Sequence, residues 1–147
     1  MKHVILVSRD KTGLGHNNSA ALVKKAVRKT LDAEGVQENC VVSVLFTDNE
    51  GIRALNKEFR DIDRETDVLS FPMGDVDPET GDLLLGDMVI NIPRCEEQGK
   101  EFGHGYDREI SYLSVHSCLH LLGYDHVDEG EEKKRMRARE KFIMGDE

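Results

Sequence analysis

The spacing of apolar and polar residues changes along the chain and predicts strands and helices in turn. Runs rich in β-branched residues and bounded by turn residues predict four strands, at residues 3–9, 40–47, 67–73 and 83–92. Apolar positions at helical spacing predict an amphipathic helix from Asn17 to Ala33 and a short helix that runs toward Arg60. Because helices and strands alternate and two strands then follow in succession, the order favours an α/β (α+β) single domain in which a short mixed β-sheet packs against helices.

A longer segment from Asp107 to Leu122 predicts a central helix. It is too long for an ordinary strand, and its apolar residues cover nearly every face, which is typical of a buried helix. Gly123 follows at the position where helices commonly end. The rest of the chain, through residue 145, is strongly charged and predicts a last helix that packs through a few apolar side chains.

Residues 116–126 hold half of the chain's six histidines, His116, His120 and His126, in the pattern H-x3-H-x5-H. Residues four apart share one face of a helix, so His116 and His120 can bind one metal ion, and the turn at Gly123 lets His126 return as a third ligand. Three imidazoles and an open fourth position are typical of a catalytic zinc site, although imidazole also suits other divalent metals. The alternative is three unrelated histidines, two in a core helix and one in a loop.

The same spacing of histidines and glycine occurs in the metzincin peptidase signature, in which a glutamate follows the first histidine. This chain has Ser117 at that position. A serine hydroxyl cannot act as the general base at neutral pH, so peptide hydrolysis by that mechanism is not expected. The pattern instead favours a metal-activated water with a different base, which the sequence does not assign, and a different substrate.

The composition indicates which class of molecule the chain could bind and in which cellular compartment it would act. The net charge is −9, which argues against simple electrostatic binding of nucleic acid, but residues 1–60 hold 10 basic and 7 acidic side chains and are basic on their own. The three cysteines form no C-x-x-C pair, so neither a disulfide framework nor a cysteine zinc site is expected, and a reducing cytoplasm fits best. No apolar run approaches the roughly 18 residues that a membrane span needs.

Three segments together resemble one known family. HSCLHLLGYDH (116–126), FRDIDRETDVLSFPM (59–73) and LLLGDMVINI (83–92) are similar to the motifs of the YbeY family of bacterial endoribonucleases and ribosomal RNA maturation factors. The family pattern is roughly H-G-x-L-H-L-x-G-Y-D-H, preceded by N-x-x-[FY]-R, T-D-V-L-S-F-P and G-D-[IV]-x-I. The resemblance covers most of the chain and implies one hydrolase domain over residues 1–147.

This resemblance implies a single-strand-specific, metal-dependent endoribonuclease of the cytoplasm, acting in 3′-end processing of small-subunit rRNA, ribosome assembly and quality control. His116, His120 and His126 match the family's ligands for one zinc ion, and His116 and Arg60 are the implied catalytic residues. Arg60 matches the arginine that holds the RNA phosphate, a task that suits a guanidinium because it stays charged and donates two hydrogen bonds. The implied partners are RNA, small-subunit ribosomal proteins and an Era-type GTPase.

Several alternatives remain open from the sequence alone. Arg60 could instead form a surface ion pair with one of the nearby acids, Asp61, Asp63, Glu65 or Asp67. Ser117 replaces the family's usual glycine and would add a polar side chain beside the metal, and His104 could approach the site or lie in a surface loop. The sequence also leaves two alternative functions open. The protein could be a non-catalytic ribosome assembly factor with a structural zinc, or another zinc hydrolase that acts on peptides or small molecules.

Overall fold

The structure is a computed structural model that describes residues 2–124 and 130–145. It contains four strands: β1 (Val4–Arg9), β2 (Cys40–Thr47), β3 (Val68–Val76) and β4 (Leu83–Asn91). The helices in this part of the chain are α1 (Ser19–Ala33), α2 (Asn49–Arg60), α3 (Ile92–Glu101), α4 (Tyr106–Leu121) and α5 (Glu131–Met144). Within the described ranges, no helix has the length and apolar character needed to cross a membrane.

The strands form one mixed sheet in the order β1-β2-β4-β3, which confirms the predicted fold class. β2 pairs in parallel with β1 and with β4, and β3 runs antiparallel to β4 at the edge. The antiparallel pair arises because β3 and β4 follow each other with only a loop between them, whereas the parallel pairs require crossover connections.

Helices cover the two faces of the sheet unequally. Side chains from α1, α3 and α4 meet β2 and β4 in the main core, which includes Val27, Phe46, Ile90 and Leu113. On the opposite face, a small cluster of Ile52, Leu69 and Val89 packs α2 against the sheet. One face is therefore the core of the domain, and the other is covered only in part.

The predicted central helix is α4, and it is buried as expected. Nine of its residues are buried, among them Ile110, Leu113 and Leu119. It contacts α1 and α3 on one side and α5 through a second cluster that contains Val115, Leu119 and Met136. Truncating one such buried leucine typically costs about 2–5 kcal/mol of stability, so the elements around α4 hold it firmly in place.

Helix α3 was not anticipated from the sequence, which assigns no element to residues 93–103. Its first turn holds Pro93, and the side chain of Asn91 accepts a hydrogen bond from the backbone N–H of Arg94 at 3.3 Å. A proline in the first helical turn needs no backbone donor, and asparagine is a favoured N-cap. The strand β4 passes directly into this capped turn, so the apolar pattern alone did not separate the two elements.

Candidate functional site

His116 and His120 lie in the last two turns of α4 and project from the same face. Their Nε2 atoms are 3.2 Å apart, and both side chains line a pocket of about 700 Å³. The helix spacing of four residues therefore brings the two imidazoles together, as the sequence pattern predicts. The third predicted ligand, His126, lies outside the described residues.

Each of the two imidazoles is oriented through its Nδ1 atom. His116 Nδ1 lies 2.6 Å from Glu140 Oε2, and His120 Nδ1 lies 2.9 Å from the backbone carbonyl oxygen of Tyr124. A carboxylate and a carbonyl only accept hydrogen bonds, so these partners favour the tautomer in which Nδ1 carries the proton and Nε2 is the acceptor. The two lone pairs thus converge on one region of the pocket.

This donor set fits a metal ion. Two Nε2 acceptors brought to 3.2 Å of each other form a donor pair that a shared cation would stabilise. Two nitrogens bound tetrahedrally to zinc at about 2.0–2.1 Å lie roughly 3.3–3.4 Å apart, close to the separation seen here. Among residues 2–124 and 130–145, no group of three His, Cys, Asp or Glu side chains that could hold a metal ion is assembled.

Glu140, which sequence reasoning missed, holds the first of these histidines. It lies on α5 with only 5% of its surface exposed, and its other oxygen accepts a hydrogen bond from Tyr112 Oη at 3.3 Å. Burial and the neighbouring Glu140 raise the pKa of the Tyr112 hydroxyl, so this group remains a donor at neutral pH. A carboxylate behind a metal-binding histidine fixes the tautomer and strengthens the ligand.

A signal for Glu140 was present in the sequence. Met136, Glu140 and Ile143 recur at helical spacing and form the buried face of α5. A carboxylate on the apolar face of a helix needs a partner, because an unpaired buried charge is costly. The pattern could therefore have identified Glu140 as a buried acid. It could not have identified the partner, because His116 is 24 positions away in the sequence and lies on another helix.

Arg60 also lines this pocket. It ends α2, and its Nη2 donates a hydrogen bond to the backbone carbonyl oxygen of Ser70 at 2.5 Å. Its guanidinium also lies 5.3 Å from the centroid of the Phe71 ring. The ion pair considered as an alternative is not seen: within the described residues Arg60 has no carboxylate partner, and Asp63 pairs with Arg53 at 2.7 Å.

Asp67 contributes a carboxylate to the pocket, and its oxygens are occupied by local contacts. Oδ1 accepts from the backbone N–H of Val68 at 2.8 Å, and Oδ2 accepts from the Gln98 side chain at 3.3 Å. Gln98 also donates to the buried Glu109 at 2.7 Å. Asp67 therefore connects the start of β3 to α3.

Ser117 does not lie beside the histidine pair, contrary to the expectation that it adds a polar group next to the metal. It is fully buried on another face of α4, and its hydroxyl is 2.6 Å from that of Ser70. Successive helical residues are about 100° apart around the axis, which separates Ser117 from His116. The serine hydroxyl connects α4 to β3 and does not line the pocket.

His104 and Cys118 also lie away from the pocket. His104 does not line the pocket: its Nε2 is 2.8 Å from Glu109 Oε1, while the other oxygen of Glu109 accepts from Gln98. Cys118 is buried in the main core, and burial raises the pKa of its thiol, which keeps it protonated and apolar. Cys40, Cys95 and Cys118 are all free and buried.

Comparisons with known proteins agree with the motif resemblance. The family model described as Endoribonuclease YbeY matches residues 5–146. A Clostridium kluyveri protein, named Endoribonuclease YbeY, is 45% identical over 141 residues, which cover 84% of this chain and 85% of the relative. A Caldanaerobacter subterraneus protein of the same name is 44% identical over 150 residues, covering 95% and 94%.

A solved structure gives independent support for the fold. The solution structure of TM1509 from Thermotoga maritima matches with a TM-score of 0.59, covering 97% of this chain and 90% of that one. At 24% sequence identity, this likeness supports the fold alone.

Proposed function

The chain belongs to the endoribonuclease YbeY family, and from this premise we propose that it is a metal-dependent endoribonuclease that hydrolyses single-stranded RNA. The observation that carries the proposal is the geometry of the pocket. Two imidazole nitrogens 3.2 Å apart and the guanidinium of Arg60 belong to side chains that line the same pocket. These are the groups that metal-assisted hydrolysis of a phosphodiester requires.

We propose that His116 and His120 hold one divalent ion, with zinc as the first choice and His126 as the third ligand. A bound ion of this kind would lower the pKa of its water to about 7 and polarise a phosphoryl oxygen. The protein would orient the two ligands. Glu140 and the carbonyl of Tyr124 accept hydrogen bonds from the Nδ1 atoms of His116 and His120, which leaves both Nε2 atoms to bind the ion.

Arg60 has the second role in this mechanism. Its guanidinium is fixed by the Ser70 carbonyl and by the ring of Phe71, and these contacts leave other N–H groups available for a phosphate. In this position it would bind the scissile phosphate and stabilise the negative charge that develops during cleavage. We therefore assign His116 and Arg60 as catalytic residues, with substrate binding at Arg60.

The test of this function is single-turnover cleavage of a short single-stranded RNA by purified, zinc-loaded protein. We expect cleavage that is lost with a chelator, restored by zinc, and absent in His116→Ala protein prepared in parallel, which controls for contaminating ribonuclease. Casein and a small phosphodiester are included to separate a peptidase or a general hydrolase. Full metal content without RNA cleavage would instead support the non-catalytic assembly factor.

The finer biological role follows from the same proposal. We propose that residues 1–147 act as one hydrolase domain in the cytoplasm, in 3′-end maturation of small-subunit rRNA, ribosome assembly and quality control. Small-subunit ribosomal proteins and an Era-type GTPase are the proposed protein partners. Mapping of small-subunit rRNA 3′ ends in cells that carry only His116→Ala protein tests this role, because unprocessed ends should accumulate.

A further inference from the structure

The end of α2 carries an exposed aromatic ring next to Arg60. We infer that Phe59 is a stacking platform for the nucleobase adjacent to the phosphate at Arg60, and that the groove beside Phe59 receives this base. The inference rests on the proposed function, because it names a further contact with the same RNA.

Phe59 and Arg60 are joined through a shared neighbour, Phe71. The Phe59 and Phe71 rings meet edge to face, with centroids 5.7 Å apart and an interplanar angle of 65°. The guanidinium of Arg60 lies over the same Phe71 ring. The cation for the phosphate and the ring for the base are thus supported by one side chain, as needed to bind neighbouring parts of one nucleotide strand.

Phe59 has a large surface that folding leaves in water. Its exposed fraction is 62%, so most of the ring is not used in the core, and the small α2 cluster is formed by Ile52, Leu69 and Val89 instead. Aromatic rings are effective stacking partners for any base, because every base has a π-face. An exposed ring one residue from a phosphate-binding arginine can therefore add affinity without sequence specificity.

The groove on the open face of the sheet has the size and chemistry for a base. It has a volume of about 430 Å³, within the usual range for small-ligand sites of roughly 300–1,000 Å³. Its lining is mainly apolar, including Leu55, Met88 and Val89, with Asp87 as a polar group. A carboxylate repels phosphate but can accept a hydrogen bond from an amino group on a base, so the base rather than the backbone is the favoured occupant.

The test compares RNA binding by wild-type protein with that of three Phe59 variants. Phe59→Ala removes the ring, Phe59→Leu keeps apolar bulk without a π-face, and Phe59→Tyr keeps the π-face. Phe142→Ala is the matched control, because Phe142 is 64% exposed, lies on a helix and also has a guanidinium, that of Arg139, 4.9 Å from its ring centroid. Binding is measured with metal-depleted protein, so that cleavage does not interfere.

We expect Phe59→Ala and Phe59→Leu to weaken binding about 5- to 150-fold, while Phe59→Tyr and Phe142→Ala bind like wild type. With metal restored, the Phe59 variants should need more RNA to reach saturation. Their single-turnover rate at saturating RNA should stay within about twofold of wild type, because in this proposal Phe59 contacts the base and not the phosphate. A 2-aminopurine base placed next to the cleavage site should be quenched by wild type and not by Phe59→Ala.

An abasic nucleotide at the same position gives a double-mutant cycle. Wild-type protein should bind the abasic RNA as weakly as Phe59→Ala binds intact RNA, and combining the two changes should cause no further loss. Wild-type affinity in Phe59→Ala, wild-type affinity in Phe59→Leu, or additive losses in the cycle would overturn the inference and leave the groove to another occupant, such as a protein segment. If the proposed function itself is wrong, wild-type protein will neither bind nor cleave the RNA.

Discussion

Two parts of the pocket are held in place in different ways: a histidine wall, formed by His116 and His120, and an arginine wall, formed by Arg60. On the histidine wall, the side chain of His116 is 22% exposed and is held by Glu140, whose side chain is 7% exposed. On the arginine wall, Arg60 is exposed and is held by a backbone carbonyl and an aromatic ring. Metal ligands must point in one direction before the ion binds, whereas a phosphate-binding group must be reachable by a large substrate.

This difference determines how each wall depends on the rest of the fold. The histidine wall requires α4 and α5 to pack together, because His116 and Glu140 lie on different helices. The arginine wall requires only that the end of α2 meets the start of β3. We therefore expect changes on the histidine wall to affect metal binding and changes on the arginine wall to affect the rate on RNA.

The largest expected effect is the loss of metal from the His116→Ala, His120→Ala double variant. Wild-type protein should hold about one ion and release it as the pH falls, because imidazole must be neutral to act as a ligand. The double variant should hold almost none, as measured by elemental analysis after gel filtration. His16→Asn serves as the control, because His16 contacts Glu96 away from the pocket. Full occupancy in the double variant would place the ion elsewhere.

Arg60→Lys tests the other wall. It keeps the positive charge but loses the forked donor geometry, so the single-turnover rate on RNA should fall on the order of a hundredfold. Metal content and melting temperature should remain near wild type, since Arg60 is exposed and has no carboxylate partner among the described residues. Arg53→Lys, on the same helix, is the control. A lower melting temperature with an unchanged rate would instead make Arg60 a structural residue.

Glu140→Gln tests whether the buried carboxylate supports the metal ligand. The amide keeps the shape but loses the charge that orients and polarises His116, so zinc affinity should fall about 10- to 100-fold. Competition with a fluorescent zinc chelator measures the affinity directly. Glu132→Gln, on the exposed side of the same helix, should have no effect. Equal affinities for the two variants would show that Glu140 has only a packing role.

Ser117→Gly should have the smallest effect, and it should act on stability alone. The variant loses the hydrogen bond to Ser70 and places glycine inside a helix, so the free energy of unfolding should fall by about 1–3 kcal/mol. Ser111→Gly, on the same helix, loses the helix term of about 1 kcal/mol together with an exposed hydrogen bond to the Asp107 carbonyl, so the difference between the two variants reports the buried Ser117–Ser70 bond. A change in metal affinity on Ser117→Gly would contradict the separation of this residue from the site.

Local patterns predicted most of the elements well. The β-branched runs at 3–9 and 40–47 correspond to β1 and β2, and the apolar segment from Asp107 to Leu122 corresponds to α4. These predictions succeed because side-chain period and burial are repeated many times within one element. Helix α3 was missed because its signals are an N-cap and a proline, which are single residues.

The candidate site was predictable to the extent that its residues are close in sequence. The spacing of His116 and His120 by itself determined that they share a helix face, because the helical period fixes the angle between them. Their joint spacing with Gly123, together with the three family motifs, also determined the expected chemistry. The roles of His116, His120, His126 and Arg60 remain predictions that the experiments above test.

Only the tertiary structure decided which distant groups complete the pocket. Glu140 reaches His116 across 24 residues, and Arg60 meets the start of β3 across the open edge of the sheet. It also decided that Ser117 faces Ser70 and that Arg60 is free of the neighbouring carboxylates considered from the sequence, within the residues described. Such contacts depend on how whole helices and strands pack against one another. That packing results from many side-chain contacts over the entire domain, so no local sequence pattern identifies which distant residues will meet.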